Sequence, residues 1–400
     1  MVATMKKKLL FVIDSLDCAG AEKSLVTLLS LLDYSRYSVD LMLFAHGGSL
    51  EDSVPKEVNI LPPLKYTEFT KLEISKSFLH SLKMLNFKMF YSRMKYTVRI
   101  RKREYGNTAK ARIYWESVSN SIENNPKEYE IAISYAQGIP TFYVASKIKA
   151  KKKYAWVNTS YLLKTKEKIF QNDFYADIDK IITVSESAKD NFLETYPDFN
   201  DKVEIIYDII NPNFITEMAE VEESADNKFD GVRILTIGRL DHGKQYNIAL
   251  EACKMLKEQG IDFKWYVLGK GPLLKEIEKY IRDHELQDHF ILLGVKSNPY
   301  PFIKNADIYV QTSKFEGFGL AIAEARLLNV PVVTTRFDAV YNQMVEGKNG
   351  LVVDMNGDAV YRGILKLIND HELRERIITY LKNEKKGNIE ELEKFYQLIG

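Results

Sequence analysis

The chain is poor in cysteine. Cys18 and Cys253 are its two thiols in 400 residues and lie far apart, which excludes a disulfide framework and fits a reducing compartment. Both are read as packing residues. The six histidines form no cluster with ligand spacing, and no Asp-x-Asp closes a strand, so no metal site is expected. Charge of one sign is also missing. A formal net charge of +1 argues against generic nucleic-acid binding. No stretch approaches the ~20 uninterrupted apolar residues of a transmembrane helix. The apolar run Leu9–Ile13 after the basic N-terminus is too short for a signal sequence and reads as a strand. No internal repeat and no low-complexity tract interrupts the chain.

What the sequence does have is alternation. Short β-rich apolar runs fall at Leu9–Ile13, Ser38–Phe44, Glu130–Tyr135, Tyr154–Val157, Lys180–Val184 and Val203–Tyr207, with helical patterns between them. A second series falls near 232–238, 263–269, 290–294, 307–311, 331–335 and 350–353. Strands alternating with helices predict parallel sheets covered on both faces. Four hundred residues exceed one compact core, so two domains are expected. Asn211-Pro212-Asn213 reads as a hinge and the acidic stretch Glu220–Lys228 as a linker. The expected division is 1–212, 213–385 and a tail segment 386–400 with a short amphipathic helix over Ile389–Leu398.

Two segments in the second series carry chemistry. In Glu316-Gly-Phe-Gly-Leu-Ala-Ile-Ala-Glu324, Gly317 and Gly319 allow a sharp turn and a close approach to a ligand. Phe318 lies between them. The helix from Leu320 offers free N–H groups and a positive dipole end, suited to a diphosphate. Glu324 lies one to two turns in, within reach of a ribose, and Glu316 projects from the loop. The other segment is Gly238-Arg239-Leu240 with Lys244, cations placed where a strand ends in an α/β sheet. Together they read as a nucleotide-sugar site. Ser313 precedes the loop, as a phosphate partner or a turn cap. Gly269, in Gly269-Lys-Gly271, ends another strand beside the same crevice, and Gly294 follows the next.

These motifs resemble family 4 glycosyltransferases of the GT-B fold, retaining enzymes that use nucleotide-sugar donors. Glu316 and Glu324 match the family's Glu-x7-Glu motif, and Gly238 to Lys244 its Gly-Arg-Leu-x3-Lys motif. Gly20, in Ala19-Gly20-Ala21-Glu22, matches its glycine-rich N-terminal loop more loosely. The resemblance implies two Rossmann-like domains across a cleft and a tail helix crossing back to the first. It also implies transfer of a hexose-type sugar from a nucleoside diphosphate sugar, UDP-sugar foremost, to a saccharide or lipid-linked acceptor, without metal, in surface polysaccharide synthesis. Arg239 and Lys244 would neutralise the leaving diphosphate. Glu316 would hold the transferred sugar, while Gly20, Gly238, Gly269, Ser313, Gly317, Phe318, Gly319, Leu320 and Glu324 would hold the donor. A catalytically silent GT-B partner subunit is the alternative.

One departure concerns the acceptor side. Relatives often carry Trp-x-His where this chain has Trp156-Val157-Asn158, and Asn158 cannot transfer a proton near neutral pH. His46, Asp14 and Asp17 lie near other strand ends of that half, the aspartates able to hold acceptor hydroxyls. Phe78–Arg112 is rich in Lys and Arg, with Glu104 its one carboxylate, and interleaved with apolar residues. It reads as a basic amphipathic helix, either for an anionic membrane surface, with Arg99, Arg101, Lys102 and Arg103 as the cluster, or packing its apolar stripe on its own domain. The expected location is cytoplasmic, peripheral on the inner face of the plasma membrane.

Overall fold

The computed structural model describes residues 6–17, 19–101, 105–159, 163–221 and 229–400. Glu104, Lys102, Arg103, Cys18 and most of the acidic linker, 222–228, lie outside the described residues. The chain divides into two compact units. The first holds residues 1–17, 21–206 and 395–400, the second residues 18–20 and 207–394.

The first unit is built on seven parallel strands in the order β3-β2-β1-β4-β5-β6-β7. They are β1 (Lys7–Ile13), β2 (Tyr37–Leu43), β3 (Asn59–Ile60), β4 (Glu128–Ser134), β5 (Lys149–Val157), β6 (Lys180–Thr183) and β7 (Val203–Ile205). Phe11 on β1 pairs with Leu41 on one side and Ile133 on the other, and all three are fully buried. Such strands are covered on both faces, which is why they read as continuous apolar runs. Two elements gave no such signal. β3 is two residues long, and β5 begins with Lys149-Ala-Lys-Lys-Lys, largely solvent-facing, before its buried Tyr154–Val157. The basic segment is also not one helix. It is divided into Ile74–Lys83, Lys88–Ile100 and Asn107–Val118, with Leu85 at φ 50° in the first turn between them.

Residues 395–400 complete this unit. Within the helix Glu391–Ile399, Phe395 is fully buried with its ring 6.2 Å from Phe11 and 6.0 Å from Trp156. Tyr396 Oη accepts the Asp33 N–H at 3.0 Å, and Lys7 Nζ donates to the Ile399 carbonyl at 2.6 Å.

The second unit carries six parallel strands in the order β10-β9-β8-β11-β12-β13. These are β8 (Val232–Ile237), β9 (Phe263–Leu268), β10 (Phe290–Gly294), β11 (Ile308–Gln311), β12 (Val332–Thr335) and β13 (Gly350–Val353). Trp265 is fully buried and donates its indole N–H to Thr236 Oγ1 at 2.9 Å, so the one polar atom of that ring is satisfied inside the core. The expected class, α/β with two Rossmann-like parallel sheets, is the observed one. In each sheet the strand order reverses once, between β1 and β4 and between β8 and β11. Open α/β sheets bind ligands at the carboxyl ends of the strands flanking such a reversal.

Candidate active site

At the second sheet's reversal, β8 runs into Gly238-Arg239-Leu240 and β11 into Thr312-Ser313. Gly238 donates its N–H to the Leu268 carbonyl at 3.0 Å and accepts from Tyr246 Oη at 2.9 Å. The Lys244 stem lies over it, 3.4 Å from where a Cβ would stand. Lys244 Nζ then donates to Glu316 Oε1 across 72 positions of sequence. The same oxygen accepts from Ser313 Oγ at 2.6 Å and from Gln311 Nε2. Tyr309 Oη in turn donates to Gln311 Oε1 at 2.5 Å, orienting the amide. Burial, with Glu316 adding, holds the Tyr309 phenol well above its ordinary pKa, and burial does the same for Tyr246. Both hydroxyls are therefore fixed as neutral donors behind the Lys244–Glu316 pair.

Arg239 is turned aside. Its Nε donates to Asp241 Oδ2 at 2.7 Å, and its side chain is 61 % exposed. Asp241 also accepts the Gly243 N–H at 2.9 Å and so shapes the short turn His242–Lys244. Gly317, Phe318 and Gly319 are all buried, with Phe318 packed 5.8 Å from the Tyr207 ring. Gly319 sits at φ 85° and caps the helix Leu320–Leu327, whose first intrahelical bonds run from Ile322 and Ala323 N–H to the Gly319 carbonyl. The N–H groups of Leu320 and Ala321 precede those bonds and open toward the helix start. Glu324, 3 % exposed in the same helix, accepts from Tyr300 Oη at 3.2 Å.

Gly269 N–H donates to the Gly294 carbonyl at 2.8 Å, and a Cβ on Gly269 would lie 2.0 Å from the Gly238 carbonyl oxygen. A Cβ on Gly271 would lie 2.3 Å from the Leu240 carbonyl. These glycines let the ends of β8 and β9 close together. The structure thus gathers Lys244, Ser313 and Glu316 in direct contact. Gly20 opens the helix Gly20–Leu31 and groups with the second unit. Gln311, Tyr309 and Tyr300 were not expected. Gln311 had a signal, as a polar residue closing the apolar run Ile308-Tyr-Val and 3 % exposed.

At the first sheet's reversal lies a cavity of about 380 Å³ between strand ends and helices, lined by Asp14, Tyr96, Thr108, Gln137, Thr159 and Gln171 among others. Asp14 is open to a water-sized molecule, yet protein crowds it so closely that lost bulk solvation, with Glu22 adding, pushes its pKa up to about 7. Gln137 donates to Thr159 Oγ1 at 2.7 Å and accepts the Asn158 backbone N–H at 3.0 Å. Asn158 Nδ2 donates to the Tyr135 carbonyl at 2.7 Å, while its buried Oδ1 and that of Gln171 (Oε1) have no partner among the described residues. His46 places Nδ1 4.0 Å from Glu51, and its Nε2 is buried and unpartnered among the same residues. No group of three or more His, Cys, Asp or Glu able to hold a metal occurs among the described residues.

The family model for glycosyl transferases group 1 matches residues 219–384, the stretch that holds both motifs and β8–β13. Over these residues the second unit is similar to the group 1 glycosyl transferases. Curated glycosyltransferases are similar to it as well. An N-acetylgalactosamine-N,N'-diacetylbacillosaminyl-diphospho-undecaprenol 4-alpha-N-acetylgalactosaminyltransferase of Campylobacter jejuni is 28 % identical over 203 residues, 50 % of this chain and 54 % of that one. The capsular polysaccharide biosynthesis glycosyltransferase CapM of Staphylococcus aureus is 31 % identical over 144 residues, 35 % and 38 % of the two chains. The match to the first of these relatives spans about half of its length. Among solved structures, Anabaena Alr3699/HepE in complex with UDP and glucose superposes with a TM-score of 0.70 at 15 % identity, covering 98 % of this chain and 99 % of that one. A mutant of S. aureus TarM in complex with Fondaparinux, alpha-GlcNAc-glycerol and UDP gives 0.67 at 15 %, covering 98 % and 100 %. The fold of this chain is GT-B.

Proposed function

We propose that the protein transfers a hexose-type sugar from a nucleoside diphosphate sugar to a saccharide or lipid-linked acceptor, with retention and without metal, in surface polysaccharide synthesis on the cytoplasmic face of a membrane. The carrying observation is the Lys244–Glu316 contact at the strand-order reversal, beside the helix start at Gly319. In this reading the bond from the anomeric carbon to the diphosphate oxygen breaks and its electron pair stays on the diphosphate. Charge grows there, and Lys244, a swung-in Arg239 and the Leu320 and Ala321 N–H groups oppose it in place, which is the electrostatic term that lowers such barriers. The acceptor oxygen bonds to the anomeric carbon, and its proton passes to the departing diphosphate oxygen. Glu316 gives up Lys244 to the diphosphate and takes sugar hydroxyls instead, while Glu324 holds the ribose. UDP in the Anabaena and S. aureus complexes supports uridine as the base.

Calorimetry with UDP and a donor-hydrolysis assay test this. Arg239→Ala and Lys244→Ala should each weaken UDP binding by about 1.5–3 kcal/mol, the worth of a charged hydrogen bond, and remove most turnover. Glu324→Ala should weaken UDP similarly, whereas Glu316→Gln should lower turnover with UDP affinity nearly unchanged. Wild-type turnover in folded Arg239→Ala and Lys244→Ala proteins would end the assignment.

A further inference from the structure

In the helical hairpin Ile74–Ile100 of the first unit, the first helix and the turn are built inside out. A surface helix in water turns its apolar stripe toward the core. Here Ser77 and Ser81 are the buried residues of Ile74–Lys83, and Ser92 is the buried residue of Lys88–Ile100. Ser92 Oγ bonds Ser121 Oγ at 2.8 Å. Many large apolar side chains point out instead: Ile74, Phe78, Leu79 and Leu82 on the first helix, Met84, Leu85 and Phe87 in the turn, Tyr91 and Val98 on the second, all exposed, Leu85 by 85 %, while Met89 and Tyr96 of the second helix pack on the core. Small residues toward the neighbouring protein and large apolar ones outward is how helices are arranged in lipid. A continuous apolar patch of this kind marks a contact surface. It is also preformed, since Phe78 packs against Phe87 at 6.1 Å and Phe90 at 5.4 Å between ring centres.

Charge selects the occupant. From Ile74 to Arg103 the sequence holds no Asp or Glu. Lys83 and Lys88 flank the turn, both exposed, on long stems that reach back to a headgroup layer while the turn goes deeper. A second copy would bring an equally basic hairpin against this one, and like charges oppose that. Of the cations expected to carry membrane contact, Arg99 is engaged elsewhere, as are Arg93 and Arg112 of the same basic segment. Arg112 is 5 % exposed between Glu116 and Glu167, Arg99 pairs with Glu116, and Arg93 donates to the Leu72 carbonyl at 2.7 Å. The helices are 10 and 13 residues long, and no helix among the described residues is long and apolar enough to cross a membrane. Shallow seating in one leaflet is what such a hairpin can do.

We propose that the Met84–Phe87 tip of this hairpin inserts into an anionic lipid bilayer, with Lys83 and Lys88 at the headgroups. The inference deepens the membrane-face part of the proposed function and is independent of the transfer chemistry. Co-sedimentation of the full chain with vesicles of equal phosphatidylglycerol and phosphatidylcholine tests it, alongside UDP calorimetry that reads the donor site separately. The wild-type chain should pellet with these vesicles and remain largely bound in 1 M salt, where screening shortens to about 3 Å. Leu85→Ser with Phe87→Ser should weaken partitioning at least about tenfold, with unchanged melting temperature and UDP affinity, because both side chains are exposed. Lys83→Gln with Lys88→Gln should lose only the salt-sensitive part. Three results would overturn the proposal: no vesicle binding at low salt, equal binding by the tip variant, or a lipid-free dimer that the tip variant converts to monomer.

Discussion

Glu316 accepts three hydrogen bonds on one oxygen, from Lys244, Ser313 and Gln311. A carboxylate so restrained is already oriented before a ligand arrives, and reorientation then costs little during reaction. The motif residues Glu316 and Lys244 were legible because their types and spacing have a chemical meaning. Their support was not, because the amide of Gln311 and the hydroxyl of Tyr309 take their roles from the pairing of β11 with β8, which sequence spacing does not display. Asp14 shows the same blindness. Its carboxyl was visible as a turn aspartate, but the crowding that lifts its pKa to about 7 from the ordinary 3.8 belongs to the assembled unit. Between those two pH values the folded chain keeps a proton that the unfolded chain has released. The stabilising contribution is therefore complete below about pH 3.8 and lost as pH rises through about 7. Asp14→Asn should raise the melting temperature relative to wild type at pH 8 and much less at pH 4. A difference between the two proteins that stays constant across that range would mean Asp14 does not titrate as described.

At the scale of elements, the strands were legible where both faces are buried and obscure where only part is. The runs Phe263–Leu268 and Val332–Thr335 announce themselves through nearly continuous burial, whereas the lysines of β5 hide half a strand. The segment Phe78–Arg112 was misread as one helix because its apolar spacing continues across a turn that Leu85 makes in the left-handed region. Glycine placement decides how closely strand ends approach. Gly269→Ala would drive a Cβ to 2.0 Å from the Gly238 carbonyl, a backbone atom that cannot step aside without moving the end of β8. Overpacking of that sort costs typically about 1–3 kcal/mol and sometimes more. Urea unfolding of Gly269→Ala should show a loss in or above that range, together with weakened UDP binding, since the displaced strand end carries Arg239. Unchanged stability would show that the loop yields more readily than its geometry indicates.

For the whole molecule, the two-unit α/β organisation followed from alternation and length, while membership of residues 395–400 in the first unit followed from neither. Phe395 and Ile399 are buried there at 0 % and 2 %, and Tyr396 bonds Asp33 and the Leu31 carbonyl. Phe395→Ala removes a buried aromatic, a change that typically costs about 3–5 kcal/mol. Hydrogen exchange should then rise in β1 and β5 of the first unit and stay unchanged in β8 and β9. Equal loosening of both units would show that the tail does not belong to the first alone. This arrangement also sets an order of events during synthesis. The ribosome delivers β1 to β7 early, but the side chain that fills the space beside Phe11 and Trp156 is made only after residues 207–394. At about 5–20 residues per second, the nascent first sheet waits roughly ten to forty seconds with an open hydrophobic seam, and anything that occupies that seam in the interval competes with the chain's own helix.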